Sequence, residues 1–380
     1  MLYRPASFSF LLVLLLPQSG VLAQNGGWKD SYNLNFSYDP SAANGPSGWG
    51  NVNGIGPWVN YNNQYVAQGG NQCASGNRQS PLQLQHISQS CRDVHELLPR
   101  QISNIDCTRQ DVTFDVTPYA LRASFPLTEN NCTRPTLSLS GQFADYSLLW
   151  MEIHARSEHV IEGNRYDAEL QMMHAGTGML TGQLMEVSIL IEATATADDL
   201  EFEWMLDQWE QTVNQETQAC GSGRRHLRQV SDFEVSSKNR VAPEESHQRE
   251  LQTGASPCKT NQFGGGCEPL GPRRRMFPYN LFPTIWYYAY DGSLTTPPCT
   301  AIVQWRVLDV PWQISLRQYK LMAHLLTQSR NSGCASDTAV NPTTGENFRP
   351  LQPRSQQFFQ NLYRCTYSDF GYYVYPPSLQ

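Results

Sequence analysis

The chain has 380 residues, with 27 Lys and Arg against 34 Asp and Glu, a formal net charge of −7. That length can bury a sizeable core and allows two or three domains, although one large β fold can take about 200–250 residues. The acidic balance excludes the basic footprint of a nucleic-acid binder. Ten cysteines and 24 prolines with only 16% charged residues fit a loop-rich extracellular protein.

Arg4 precedes an apolar stretch from Phe8 to Leu16, and Val21-Leu22-Ala23 supplies small or apolar residues for cleavage. This predicts a secretory signal peptide over 1–23, too short to span a membrane. The mature chain is expected to start near Gln24 and to be secreted or to lie in the lumen of the secretory pathway. No membrane anchor is expected, because no later run approaches 18 apolar residues and the segment Tyr375 to Gln380 matches no anchoring or retention signal. All ten cysteines follow the signal, so disulfides are expected. Asn35 and Asn131 stand in glycosylation sequons.

Residues 24–72 are rich in Gly, Asn, Trp and Tyr and predict an ordered arm packed on the domain, since Trp28, Trp49 and Trp58 are costly to leave in water. From 79 to 200 short alternating runs predict strands. They are Val112–Val116, Leu137–Leu139, Leu148–His154, Ala168–His174 and Met185–Ile191. A helix is predicted from Asp198 to Thr217, where Leu200, Trp204, Met205 and Trp209 recur at helical spacing.

Residues 220–275 hold 10 Lys and Arg against 6 Asp and Glu, with almost no strand periodicity. They predict a disordered surface insertion, and Cys258 and Cys267 within it could close a local loop. Outside this segment and the signal, 16 basic and 28 acidic residues leave a body of net charge −12. Strands are predicted again at Thr284–Tyr290 and Ala301–Leu308, then a helix from Ser315 to Gln328.

Three segments carry a family signature. They are Gly76-Asn-Arg-Gln-Ser-Pro-Leu82, the run from Ser157 to Leu170, and Tyr290-Asp-Gly-Ser-Leu-Thr-Thr-Pro-Pro-Cys299. Together, in this order, they resemble the α-class carbonic anhydrases, with weaker matches at Gly45–Trp49 and Asn347-Phe-Arg-Pro350. The resemblance implies a mainly β fold with a few helices, a single domain over 73–380 built around a large, mostly antiparallel twisted sheet. It also implies a disulfide between Cys73 and Cys299. The pairing of the other eight cysteines stays open.

The family's chemistry implies three histidines on zinc, two at i and i+2 on one strand and one on its neighbour. Neutral imidazoles leave the ion its charge, so bound water ionises near neutral pH and attacks carbon dioxide. Here the matching positions are Glu152, His154 and Gln171. A carboxylate makes bound water less acidic, and an amide oxygen is a poor zinc ligand. His174, three residues beyond Gln171, falls on the opposite strand face, and His159 matches a structural family histidine.

Other matches are retained. Thr295 and Glu158 correspond to the pair that orients zinc-bound hydroxide, and Thr296, Trp305 and Tyr38 correspond to pocket residues. Met173 and Glu186 alter the apolar wall, Trp150 replaces a glutamine that supports the first ligand, and the proton-shuttle position falls near Tyr119 without a histidine. Glu152 beside Glu158 would repel it unless one is protonated or a cation intervenes, which favours a metal.

The sequence therefore predicts a secreted, carbonic-anhydrase-like glycoprotein that is catalytically silent or strongly impaired, binding an unknown protein or glycan and no resident cofactor. The alternative is an active zinc enzyme interconverting carbon dioxide and bicarbonate. A third reading is a carboxylate pocket of Glu152, Glu158 and Glu186 for another cation or small molecule.

Overall fold

Side-chain alternation along the apolar runs decides which residues share a face, because successive strand residues point to opposite sides. The computed structural model describes residues 36–52, 71–75, 78–85, 91, 97–99, 106–126, 132–138, 145–221, 258–260, 267–269, 278–353 and 362–366. In chain order the strands begin with β1 (Gln83–Leu84), β2 (Leu98–Pro99), β3 (Thr113–Val116), β4 (Leu121–Ser124) and β5 (Thr136–Ser138). The long β6 (Asp145–Ala155), short β7 (Val160–Ile161) and β8 (Asn164–Arg165), and long β9 (Ala168–Gly176) and β10 (Leu184–Ala195) follow. Helix α1 (Leu200–Ala219) precedes β11 (Cys258–Thr260) and β12 (Cys267–Pro269). The chain continues through β13 (Tyr287–Gly292), β14 (Val303–Leu308), β15 (Trp312–Ser315), α2 (Leu316–Leu326) and β16 (Tyr363–Cys365).

Among the described residues eleven strands form one sheet in the order β16-β13-β14-β10-β9-β6-β4-β3, with β15 beside β10, β5 beside β6 and β2 beside β5. The fold is mainly β, as the sequence implies, and most neighbours are antiparallel. Strand β10 departs from this by pairing in parallel with β14 along its first half and with β15 along its second.

The two faces differ in what they bury. One face carries Met151, Ile153, Leu170, Met172, Val187 and Ile189 into the main core, where α1 adds Phe202, Met205, Leu206 and Trp209. Each such side chain stabilises the fold by about 1.5–3 kcal/mol relative to exposure. Both helices start where side chains cap free N–H groups: the Asp199 carboxylate accepts from Phe202 N at 2.9 Å, and Ser315 with Gln318 forms a capping box. On the other face lie Trp150, Glu152, His154, Gln171, Met173 and Glu186, which the strand registers set side by side.

Two corrections to the sequence reading concern the elements. Strand β13 starts at Tyr287 rather than Thr284, because Thr284 Oγ1 instead accepts from Trp286 N at 3.1 Å in a local turn. Within 220–275, which showed almost no strand periodicity, β11 and β12 pair antiparallel with Thr260 opposite Cys267; backbone ladders form there without an alternating pattern to announce them.

Disulfides join Cys73 to Cys299, Cys91 to Cys365, Cys107 to Cys132 and Cys220 to Cys334. The described part of the arm packs Phe36, Tyr38, Trp49 and Val52 against Tyr119, Ala120, Cys299 and Ala339. Asn35, Asn131, Trp28, Trp58 and residues 1–23 lie outside the described residues. Among the described residues no helix is long and apolar enough to cross a membrane.

Candidate functional site

The site is built on three neighbouring strands whose registers put Glu152 opposite Gln171 and His154 opposite Glu169, with Ser188 opposite Gln171 and Glu186 opposite Met173. On the far side of β6, Arg122 of β4 stands opposite Glu152.

Arg122 dominates this arrangement. Its guanidinium reaches a Glu152 carboxylate oxygen at 2.6 Å, and both residues are buried. The same guanidinium nitrogen donates to the Tyr119 hydroxyl at 2.8 Å, and the guanidinium lies 4.8 Å from the centre of the Trp150 ring. Behind the strand, Trp209 of α1 donates to the Arg122 carbonyl at 2.9 Å, so the main core fixes the backbone from which the guanidinium projects. A side chain of this chain thus supplies a cation beside Glu152, one of the two ways in which the sequence reading allowed the crowding of Glu152 and Glu158 to be relieved. Trp150, at a position of ligand support in the resemblance, packs against Arg122.

Gln171 is equally committed. Its amide nitrogen donates to Glu158 at 2.8 Å and to Glu169 at 3.0 Å, holding two buried carboxylates apart. The second oxygen of Glu158 accepts from Arg349 N at 2.8 Å. Glu169 also accepts from Ser188 and from the His159 backbone, each at 2.8 Å, and meets the His159 ring at 2.7 Å. Burial pushes the Glu169 carboxyl up, but the His159 charge and these hydrogen bonds outweigh it and hold it at about 2. His159 continues to the Tyr290 hydroxyl at 2.6 Å, and Tyr290 donates to Ser80 at 2.9 Å. Gly292 lets Ser80 approach, since a Cβ there would collide with the Ser80 hydroxyl and the Trp305 ring.

His154 keeps one ring nitrogen for the site. Its Nδ1 donates to the Asn347 carbonyl at 2.9 Å, which leaves Nε2 facing away from that bond. Burial alone would lower the His154 pKa, but Glu158, Glu152 and the Asn347 carbonyl together raise it above the ordinary histidine value. Glu186 is buried among Glu152, Glu158 and Glu169, which pushes its carboxyl well above the usual range despite Arg122. The Tyr38 hydroxyl is sealed from solvent and, among the described residues, has no hydrogen-bond partner. Burial first, then the Glu158 and Glu152 carboxylates, push its phenol up.

The remaining positions divide. Trp305 packs 4.7 Å from the His159 ring and donates to the Ser293 carbonyl at 3.0 Å. Thr295 and Thr296 lie buried on the loop between β13 and β14, but among the described residues no hydrogen bond joins Thr295 to Glu158, whose oxygens go to Gln171 and Arg349. Tyr119, near the shuttle position, is buried and occupied by Arg122. His174 sits on the opposite face against the Tyr279 hydroxyl at 3.1 Å, and burial lowers its pKa to about 3. Sequence reasoning missed Arg122, Ser188 and the structural weight of Asn347 and Arg349; the latter two stood in the quoted Asn347–Pro350 match.

The donors at the three ligand positions do not fit a zinc ion. Glu152 is bound to a guanidinium, the Gln171 amide nitrogen bridges two carboxylates, and His154 Nε2 alone remains a good donor. Among the described residues no group of three or more His, Cys, Asp or Glu side chains is arranged to hold a metal ion.

Comparison with known proteins places this geometry in a family. The family model described as eukaryotic-type carbonic anhydrase matches residues 62–221 and 269–360. Dioscorin DB3S of Dioscorea polystachya is 24% identical over 359 residues, covering 94% of this chain and 97% of that protein. Alpha carbonic anhydrase 7 of Arabidopsis thaliana is 22% identical over 355 residues, covering 93% and 94%. The crystal structure of dioscorin complexed with ascorbate is similar in fold, with a TM-score of 0.52 at 21% identity, covering 87% of this chain and 97% of that one. This chain belongs to the eukaryotic-type carbonic anhydrase family.

Proposed function

We propose that the protein is a secreted binding glycoprotein on a carbonic anhydrase scaffold, and that it does not catalyse zinc-dependent hydration of carbon dioxide. The observation that carries this reading is the buried ion pair of Arg122 with Glu152, 2.6 Å long, at the first position where the family would hold its metal. A hydroxide nucleophile at neutral pH requires a cation that acidifies bound water. Here the cation at that position is a guanidinium, which stays protonated and offers no coordination site for water. The disulfides among the described residues support an oxidising destination, in keeping with the predicted signal peptide at 1–23 and sequons at Asn35 and Asn131.

Stopped-flow hydration of carbon dioxide tests the reading. Protein dialysed against zinc is expected to give no rate above the uncatalysed reaction. Turnover that His154→Ala abolishes would identify an active enzyme with an atypical metal site.

A further inference from the structure

We propose that segment 367–380, which lies outside the described residues, docks along an apolar strip made by Val310, Leu316 and Leu200 and covers it. This does not depend on whether the site above holds a metal.

The strip is visible in what the surface leaves uncovered. Among the described residues four large apolar side chains are exposed, and three of them lie in one line. Val310, between β14 and β15, is 44% exposed; Leu316, the first residue of α2, is 53% exposed where β15 ends; Leu200, the first residue of α1, is 72% exposed. Strand β15 has four residues, so its ends are about 13 Å apart. The two helix starts are tied together: Asp199 N donates to the Gln318 side chain at 2.9 Å, and the Gln318 amide donates to the Asp199 carbonyl at 2.8 Å. Trp312 of β15 donates to the Asp199 carboxylate at 3.2 Å, and its ring lies 5.2 Å from that of Phe202. The strip therefore follows the rim of the main core. A lone exposed apolar side chain is ordinary, whereas an apolar row marks a contact surface.

Strand directions identify the occupant. Strand β13 pairs antiparallel with both β16 and β14, so β16 runs in the same direction as β14. Cys365 stands opposite Tyr287, and Tyr287 opposite Leu308. The chain thus leaves β16 level with Val310 and two strand spacings away, about 10 Å. Arg364, bound to the Asp309 carboxylate at 2.9 Å, fixes that corner. Strands β14 and β15 both run parallel to β10, along its first and second halves, so the course of β16 leads on toward Leu316. Fourteen residues follow Thr366, up to about 46 Å of extended chain. They include Phe370, Tyr372, Tyr373, Val374, Tyr375 and Leu379 with one charged side chain, Asp369, a composition that gains from burial. Other undescribed segments begin farther off. The arm packs at Cys299, on the loop at the opposite end of β13 and β14. The 220–275 segment leaves from the far end of α1, whose 20 residues span about 30 Å.

Photocrosslinking of the full chain tests the proposal, with Tyr373 replaced by p-benzoylphenylalanine. Irradiation and peptide mass spectrometry are expected to join position 373 to residues 309–317 or 198–203 of the same chain. Hydrogen exchange gives a second readout. Leu200→Gln combined with Leu316→Gln alters two exposed helix starts and leaves the core untouched. The double variant is expected to raise exchange across 367–380 about ten-fold or more, the worth of a lost leucine contact. A cross-link elsewhere in the chain, a cross-link between two chains, or none overturns the proposal. So does exchange across 367–380 that is unchanged in the double variant.

Discussion

Arg122 and Glu152 stand opposite each other on adjacent strands and form a buried ion pair at 2.6 Å. Taking both charges out of water costs several kcal/mol each, and their attraction returns it only when the geometry and extra hydrogen bonds are good. Here Tyr119 and the Trp150 ring supply the extra partners of the guanidinium.

Breaking one side of the pair should therefore cost more than removing both. Arg122→Met leaves Glu152 buried and uncompensated, with an expected loss of about 3–5 kcal/mol. Arg122→Met combined with Glu152→Leu should recover most of that loss, since apolar replacements of buried pairs are often neutral or stabilising. Denaturant unfolding of the three proteins measures both effects. A single-variant cost below about 1 kcal/mol, the range of exposed pairs, would show that the pair is not buried.

Asn347 ties the site to two strands. Its side chain accepts from Ala155 N and donates to the Tyr119 carbonyl, both at 2.5 Å, and its carbonyl holds His154. Asn347→Ala strands two buried backbone groups at about 1–3 kcal/mol each. Unfolding should show a loss of about 2–6 kcal/mol, and the His154 ring resonances should broaden or shift in NMR. Unchanged His154 resonances would contradict the positioning role.

His174 gives a pH dependence of definite sign. Its folded pKa is about 3, against about 6.5 when unfolded, so between these values the unfolded chain binds the extra proton. Stability contributed by neutral His174 is complete above pH 6.5 and is lost as pH falls toward 3. The full shift corresponds to about 5 kcal/mol. His174→Gln should flatten the fall in stability between about pH 6.5 and 4.5, where most carboxylates are still ionised. Equal slopes for the two proteins would contradict the assignment.

The disulfide between Cys73 and Cys299 closes a span of 226 residues next to the loop carrying Thr295 and Thr296. Replacing both cysteines by Ser should cost about 2–5 kcal/mol. Hydrogen exchange over 293–300 should rise more than exchange in β6 and β9. Uniform change across these segments would show that the bond does not hold that loop in particular.

The large strands were legible because their alternation is long: Leu148–His154 and Ala168–His174 already put Glu152, His154 and Gln171 on one face, and β6 and β9 keep that arrangement. The helices were legible from spacing and caps, ending within two residues of the structure's bounds. Arg122 was not, because β4 is four residues long and wholly buried, which leaves no alternation to read. Its partner lies 30 residues away across a sheet whose strand order no local pattern encodes. The usable signal was chemical: an Arg inside the apolar run Tyr119 to Phe125, and a Glu on a strand face lacking a counter-charge. The double contact of Gln171 with Glu158 and Glu169 is likewise a product of register and side-chain geometry.

The central claim is that a guanidinium, and not a metal ion, neutralises the site. Inductively coupled plasma mass spectrometry of the protein, purified without chelators and dialysed against zinc, tests it most directly. The account predicts zinc well below one equivalent per chain, unchanged by His154→Ala. One equivalent of zinc that disappears in His154→Ala would contradict it.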